Sequence, residues 1–111
     1  MRRTNIHFLN DIRNSIDRIG TYIDDMDLDD LMEDEKTKDA VIRNLEIIGE
    51  AARNLDESIY RDNPSIPWRK IIGLRNIISH AYFGIDWENI WKIINEDIPD
   101  FRETLEKIEL E

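Results

Sequence analysis

In RNIISHAY, residues 75–82, an arginine, an asparagine, a serine, a histidine and a tyrosine alternate with the apolar Ile77, Ile78 and Ala81. These polar types suffice for a specific chemistry. Histidine titrates near neutrality and can give or take a proton, arginine grips phosphate oxygens with a fixed fork of donors, and asparagine or serine can orient a neighbour. That set suits cleavage of a phosphodiester. In RNA the adjacent 2′-hydroxyl can act as nucleophile, so a histidine in proton transfer and an arginine on the crowded phosphate would serve without a metal or cofactor. The same residues would also be unremarkable as surface and capping groups near the end of an amphipathic helix, where cations complement the dipole.

At about 100° of rotation per residue, Asn76 and His80 share one helix face and Arg75 and Ser79 another. Arg75 and His80 point roughly 140° apart on an ideal helix. A single copy would therefore focus them poorly on one phosphate. Either the helix loosens near His80, where Tyr-Phe-Gly follows, or a second chain supplies its own set across a two-fold axis.

The elements that must position these residues are helical. With four glycines, three prolines and apolar residues at three- and four-residue steps, the chain predicts an all-α fold, an antiparallel bundle of four or five helices in one domain over residues 1–111. Ile6, Leu9, Ile12, Ile16, Ile19 and Ile23 form the stripe of a first helix, with Thr4 or Asn5 as its cap. The acidic stretch after it reads as a solvated connector, with room for a turn around Leu28, Leu31 and Met32 started by Asp27 or Asp29. A second helix runs from about Glu35 to Leu55, and Gly49, Ala51 and Ala52 make its face thin enough for close helix approach. SIYRDNPSIP, residues 58–67, interrupts the pattern; Ser65 and Pro67 resemble a helix start, so a third helix is expected from Trp68 to about Ala81. Gly84 is a stop and Asp86 a cap for a fourth helix bearing Trp87, Ile90, Trp91 and Ile94, and Pro99 marks a fresh start for Ile98, Phe101, Leu105 and Ile108.

Composition narrows the function. Fifteen Lys and Arg against 25 Asp and Glu give a formal charge of −10, which disfavours sequence-independent attraction to a polyphosphate. The charge is uneven. Residues 24–35 carry eight carboxylates and no cation, whereas residues 68–75 carry three cations and no carboxylate, so Arg69 and Lys70 are candidates for RNA contact. The absence of cysteine excludes disulfides and thiolate zinc sites and suits a reducing cytoplasm. No apolar run approaches the roughly 20 residues of a membrane span, and no signal peptide is evident.

Arg75-Asn76-x-x-x-His80-x-Tyr82 resembles the signature of HEPN-domain ribonucleases, in particular the HepT-like toxins of HepT/MntA toxin–antitoxin pairs. The segments DAVIRNLEIIGEAARNL, IPWRKIIGLRN, HAYFGIDWENIW and DIPDFRETLEKI resemble that family in the same order, so the likeness spans nearly the whole chain. The resemblance implies a HEPN-like bundle that dimerises across the motif helix and joins two copies of the motif in one cleft. It implies Arg75 and His80 as the catalytic pair, Asn76 in positioning, and a metal-independent endoribonuclease activity; Ser79 is a further positioning candidate by its residue type alone. It further implies, as in type VII-like systems, an MntA-like nucleotidyltransferase antitoxin that silences the toxin by adding AMP to Tyr82. A bulky anion there would repel an incoming phosphate. An alternative from another class is a non-catalytic HEPN dimer that serves as a binding or regulatory subunit of the transferase.

Other residues read as structural. His7 lies beside the apolar stripe with no second ligand or base. Trp68, Trp87 and Trp91 could stack nucleobases, but core or dimer packing suits their positions better. Glu46, Glu50 and Arg43 read as surface ion pairs, with an orienting role toward Arg75 as the rarer alternative. The acidic run lacks the glycine and spacing of a calcium loop and is expected as solvated surface, facing an antitoxin if one binds.

Overall fold

A computed structural model describes residues 4–79 and 84–108, apart from the side chains of residues 77–79. The motif residues His80 and Tyr82, and Ala81 as the expected end of the third helix, therefore lie outside the described residues. All regular elements among those described are helical, as the apolar periodicity predicts.

Helix α1, Asn5–Tyr22, starts where the hydroxyl of Thr4 accepts a bond from the His7 N–H, satisfying one of the amides that a helix start leaves open. Leu9, Ile12, Ile16 and Ile19 are buried, but Ile6 is 48% exposed. The expected stripe is thus one turn shorter at its start. Helix α2, Leu28–Glu33, is a formed element within the acidic stretch. Asp27 and Asp30 exchange bonds as a capping box, and Leu31, fully buried, anchors the segment to the core.

Helix α3, Glu35–Arg53, is the longest and buries Val41, Leu45, Ile48 and Ala52. It packs along α1, and the direction of that packing follows from one clasp. The Asn5 side chain donates to Asp56 Oδ2 at 3.1 Å and accepts from the Asp56 N–H at 3.0 Å, so the start of α1 meets the end of α3. The two run antiparallel.

Four expectations are corrected in the second half, the last of them at Pro99. SIYRDNPSIP is not wholly irregular, because α4, Glu57–Asp62, forms within it and buries Ile59. Ser65 makes no cap; the next helix begins after Pro67 without a side-chain hydrogen bond. The single helix expected from Trp68 is divided at Gly73 into α5, Trp68–Ile72, and α6, Leu74–Ser79. A Cβ on Gly73 would lie 3.1 Å from the Arg69 carbonyl oxygen, tighter than side chains usually meet, so glycine suits the turn that joins the two helices.

Gly84 takes φ of 97°, in the region that favours glycine, and Asp86 caps α7, Trp87–Lys92, by accepting from the Asn89 N–H at 3.1 Å. Pro99 does not restart the chain. Instead Ile93–Asp97 widens into a π turn that runs straight into α8, Ile98–Leu105, and the Ile98 N–H reaches back to Ile93. Proline lacks an N–H and its ring crowds the carbonyl four residues earlier, and a widened turn eases both problems. On α1, Arg13 bonds the Leu105 carbonyl and Asp17 pairs with Arg102. Numbers rise on one helix as they fall on the other, so α8 is also antiparallel to α1. Trp68 fills the middle, 7% exposed, edge-on to Tyr60 and Phe101. Its indole N–H donates to the Asn63 carbonyl, which completes a core role rather than a stacking one. Trp87 and Trp91 pack against the same core. No helix among the described residues is long and apolar enough to cross a membrane.

Two stability outcomes follow. Ile48→Ala, at a fully buried site, is expected to cost about 2–5 kcal/mol in denaturant unfolding, and Ile6→Ala less than about 0.5 kcal/mol. Asp34, the α3 cap, accepts from the Thr37 N–H at 3.0 Å and from its hydroxyl at 2.8 Å. These bonds, backbone first, hold its carboxyl below the ordinary 3.8. A depressed folded-state value means that the contribution is present above the unfolded pKa and disappears as pH falls through the folded one. Acid titration of helicity should show Asp34→Asn less sensitive than the wild type below about pH 4.

Candidate active site

Arg75 sits in the first turn of α6, and its place is set by the opposite helix. Gly49 on α3 faces the turn between α5 and α6 so closely that an added Cβ would lie 3.1 Å from the Arg75 nitrogen, 3.3 Å from the Ile72 oxygen and 3.4 Å from the Ile71 oxygen. The thin face expected on the second helix is thus where the motif arginine is seated. Leu74, one residue earlier, is buried and fixes the orientation of α6 from the other side.

From that seat the Arg75 side chain turns back toward α3. Its Nε lies 2.9 Å from Glu50 Oε2, with both side chains about half exposed. Glu50 is itself braced. The Asn54 amide nitrogen donates to the Glu50 carbonyl oxygen at 2.7 Å and approaches Glu50 Oε1 at 3.4 Å. One carboxylate oxygen therefore faces an amide and the other an arginine, on a side chain rooted next to Gly49. Pairing at Nε leaves the terminal amino groups, the fork that suits a phosphate, uncommitted by this contact.

Asn76 follows Arg75 and is exposed; its backbone N–H donates to the Gly73 carbonyl at 3.0 Å. Ser79 is the last residue of α6, and its side chain, with His80 and Tyr82, belongs to the part of the motif outside the described residues. The structure therefore joins Arg75 to Asn76 on one helical turn and leaves the distance to His80 undescribed. Arg69 and Lys70 lie on α5, on the far side of the Gly73 break, and are exposed. Lys70 Nζ is 3.1 Å from Asp97 Oδ2 of the π turn. Lys70 and Asp97 line a cleft of about 390 Å³ between α5–α6 and α7–α8, walled by Ile71, Leu74, Ile93 and Phe101; Arg69 does not. Arg75 is not among the lining residues. Lys70 and Arg75 thus face different neighbours, α8 and its π turn for one and α3 for the other.

Sequence reasoning singled out Glu50 chiefly as surface and did not single out Asn54. The signal lay in their four-residue spacing, which stacks an amide over a carboxylate one turn away, and in the adjacency of Glu50 to the glycine of the thin face. Of the other residues weighed, His7 is exposed and bonded through its backbone to Thr4, and Arg43 pairs with Glu46 at 3.2 Å within α3.

Known proteins give this geometry a context. The chain matches the family model Ribonuclease HepT-like over residues 12–108. It is 41% identical over 108 residues to a Thermococcus cleftensis protein named "Probable ribonuclease HepT", covering 97% of this chain and 98% of that one. Two Methanocaldococcus jannaschii proteins named as candidate RNases are similar as well. One is 40% identical over 89% of this chain and 91% of its own length, the other 41% identical over 91% and 84%. No solved structure gives a significant match. An all-helical fold that seats an arginine of the expected motif against a glycine-thinned helix, and a family match that spans most of the sequence, agree on one conclusion: the chain belongs to the HepT-like ribonuclease family.

Proposed function

We propose that this chain is a metal-independent endoribonuclease toxin of a type VII-like toxin–antitoxin pair, active as a homodimer whose motif helices form a composite cleft. The observation that carries the reading is the seating of Arg75: a half-exposed cation held at a close helix crossing, with Asn76 beside it and paired with Glu50 through Nε. In the reaction, Arg75 would hold the scissile phosphate and stabilise the charge that builds on it. His80 would transfer the proton, as base toward the 2′-hydroxyl or acid toward the leaving oxygen. Asn76 and Ser79 would orient the substrate, and Arg69 and Lys70 would contact RNA outside the reacting bond.

The proposed dimer answers a difficulty that α6 leaves in place. On a regular turn Arg75 and His80 diverge by roughly 140°, and a second copy can set one chain's arginine opposite the other's histidine. Control would fall on Tyr82, two residues after His80, where an MntA-like nucleotidyltransferase would attach AMP and place an anion beside the phosphate site. A location in the cytoplasm fits an RNA target and a cytoplasmic partner enzyme.

One observation favours a second reading. Arg75 already has a carboxylate partner in a chain of net charge −10, which is an arrangement a non-catalytic HEPN dimer docked to the transferase would also tolerate.

The readings separate in a cleavage assay with purified chain free of AMP. The nuclease reading expects RNA cleavage that persists in a chelator and fails on a substrate with a 2′-deoxy sugar at the cut position. His80→Ala and Arg75→Ala should each lower the rate by at least about 10²-fold while sedimentation still reports a dimer. Wild-type rate should change with pH around neutrality, where histidine titrates. Intact RNA with the wild type, alongside unimpaired binding to the transferase, would leave the scaffold reading. Incubation with transferase and ATP should add the mass of AMP to the wild type and not to Tyr82→Phe.

A further inference from the structure

We infer that Glu50, braced by Asn54, is a positioning residue for Arg75, setting the direction in which the guanidinium fork meets a phosphate. This rests on the nuclease reading above and adds a residue from a different helix. Four observations converge. The contact is made at Nε, 2.9 Å from Glu50 Oε2, and a carboxylate held there restricts rotation about the last bonds of the side chain. The Glu50 side chain has a second tether, in the Asn54 amide at 3.4 Å from Oε1. The two backbones are locked together one residue away, where Gly49 meets the Arg75 nitrogen. Finally, the pair is about half exposed, and an exposed ion pair adds little to folding. A carboxylate beside a phosphate-binding cation would weaken anion binding if it served no other purpose. Orientation is the role that the geometry leaves for it, since an arginine swinging through several rotamers loses the near-attack placement on which rate depends.

The test compares wild type, Glu50→Ala, Glu50→Gln, Asn54→Ala and the control Glu46→Ala. The control removes the same charge one turn earlier on α3, from a carboxylate that pairs with Arg43. Glu50→Ala should lower kcat about 10- to 100-fold and change KM less than about threefold. Glu50→Gln, which keeps an oxygen for the Nε–H, should return to within about fivefold of wild type, Asn54→Ala should fall between, and Glu46→Ala should match wild type. A Glu50→Ala enzyme as fast as wild type or faster would overturn the inference, as would an equal loss in Glu46→Ala. A second readout does not depend on turnover. The Arg75 Nε–H resonance, assigned by its loss in Arg75→Lys, should be sharp and slow to exchange in the wild type and broadened in Glu50→Ala. No change in that resonance overturns the inference even if cleavage is seen. Wild-type protein that cleaves no RNA would remove the nuclease reading, and Glu50 would then be judged on the resonance.

Discussion

The architecture depends on one close backbone approach, that of α3 to the α5–α6 turn at Gly49. Helix axes normally stand 8–10 Å apart because side chains separate them. Where glycine takes the place of a side chain, main-chain atoms of the two elements come almost into contact. The approach excludes water from Ile48, Ala52, Ile71 and Leu74, all buried, and it delivers the motif arginine to a defined position relative to α3. An alanine there would gain about 1 kcal/mol of helix propensity, yet the overlap with backbone that cannot swing aside costs more, about 1–3 kcal/mol. Packing, rather than propensity, decides why glycine is tolerated in the middle of a long helix.

Around that contact the molecule divides its work. Antiparallel α1 and α3, clasped by Asn5 and Asp56, form the rigid part. Helices α7 and α8 close over it through Phe101, Leu105 and the Arg102 ion pair with Asp17. Neither half supplies the candidate chemistry, which sits at the edge of the packed region on the short α6. An arginine half exposed at the end of a firm scaffold can meet a large substrate and still keep its backbone fixed. The acidic excess stays compatible with an anionic substrate only if attraction is local.

Much of this was legible in the sequence because it follows from periodicity. The stripes of α1 and α3, the caps at Thr4 and Asp86 and the thin face at Gly49 all result from rules that act over a few residues. What escaped depends on tertiary contact. Ile6 fits the stripe but stays about half exposed. The helix in residues 57–62 is too short to show a period, and it exists because Ile59 reaches the core and the Tyr60 hydroxyl bonds the Ala52 carbonyl at 2.6 Å. Gly73 reads as one weak residue in a helical pattern, and only the structure shows that two helices meet there. At the candidate site, Arg75 and Asn76 came from residue chemistry, and the family from motifs spread along the chain. The Glu50 partnership required a structure, since no sequence rule says which of several exposed acids a distant arginine will meet.

The π turn at Ile93–Asp97 has a different kind of consequence. It holds one residue more per turn than its neighbours, so the chain between Ile94 and Ile98 has slack that an ordinary helix lacks, and both side chains still reach the interior. Such a turn acts as an expansion joint. It separates the phase of the segment that begins at Asp86 from that of the terminal helix, so each can settle on the core at its own angle without forcing the other out of step.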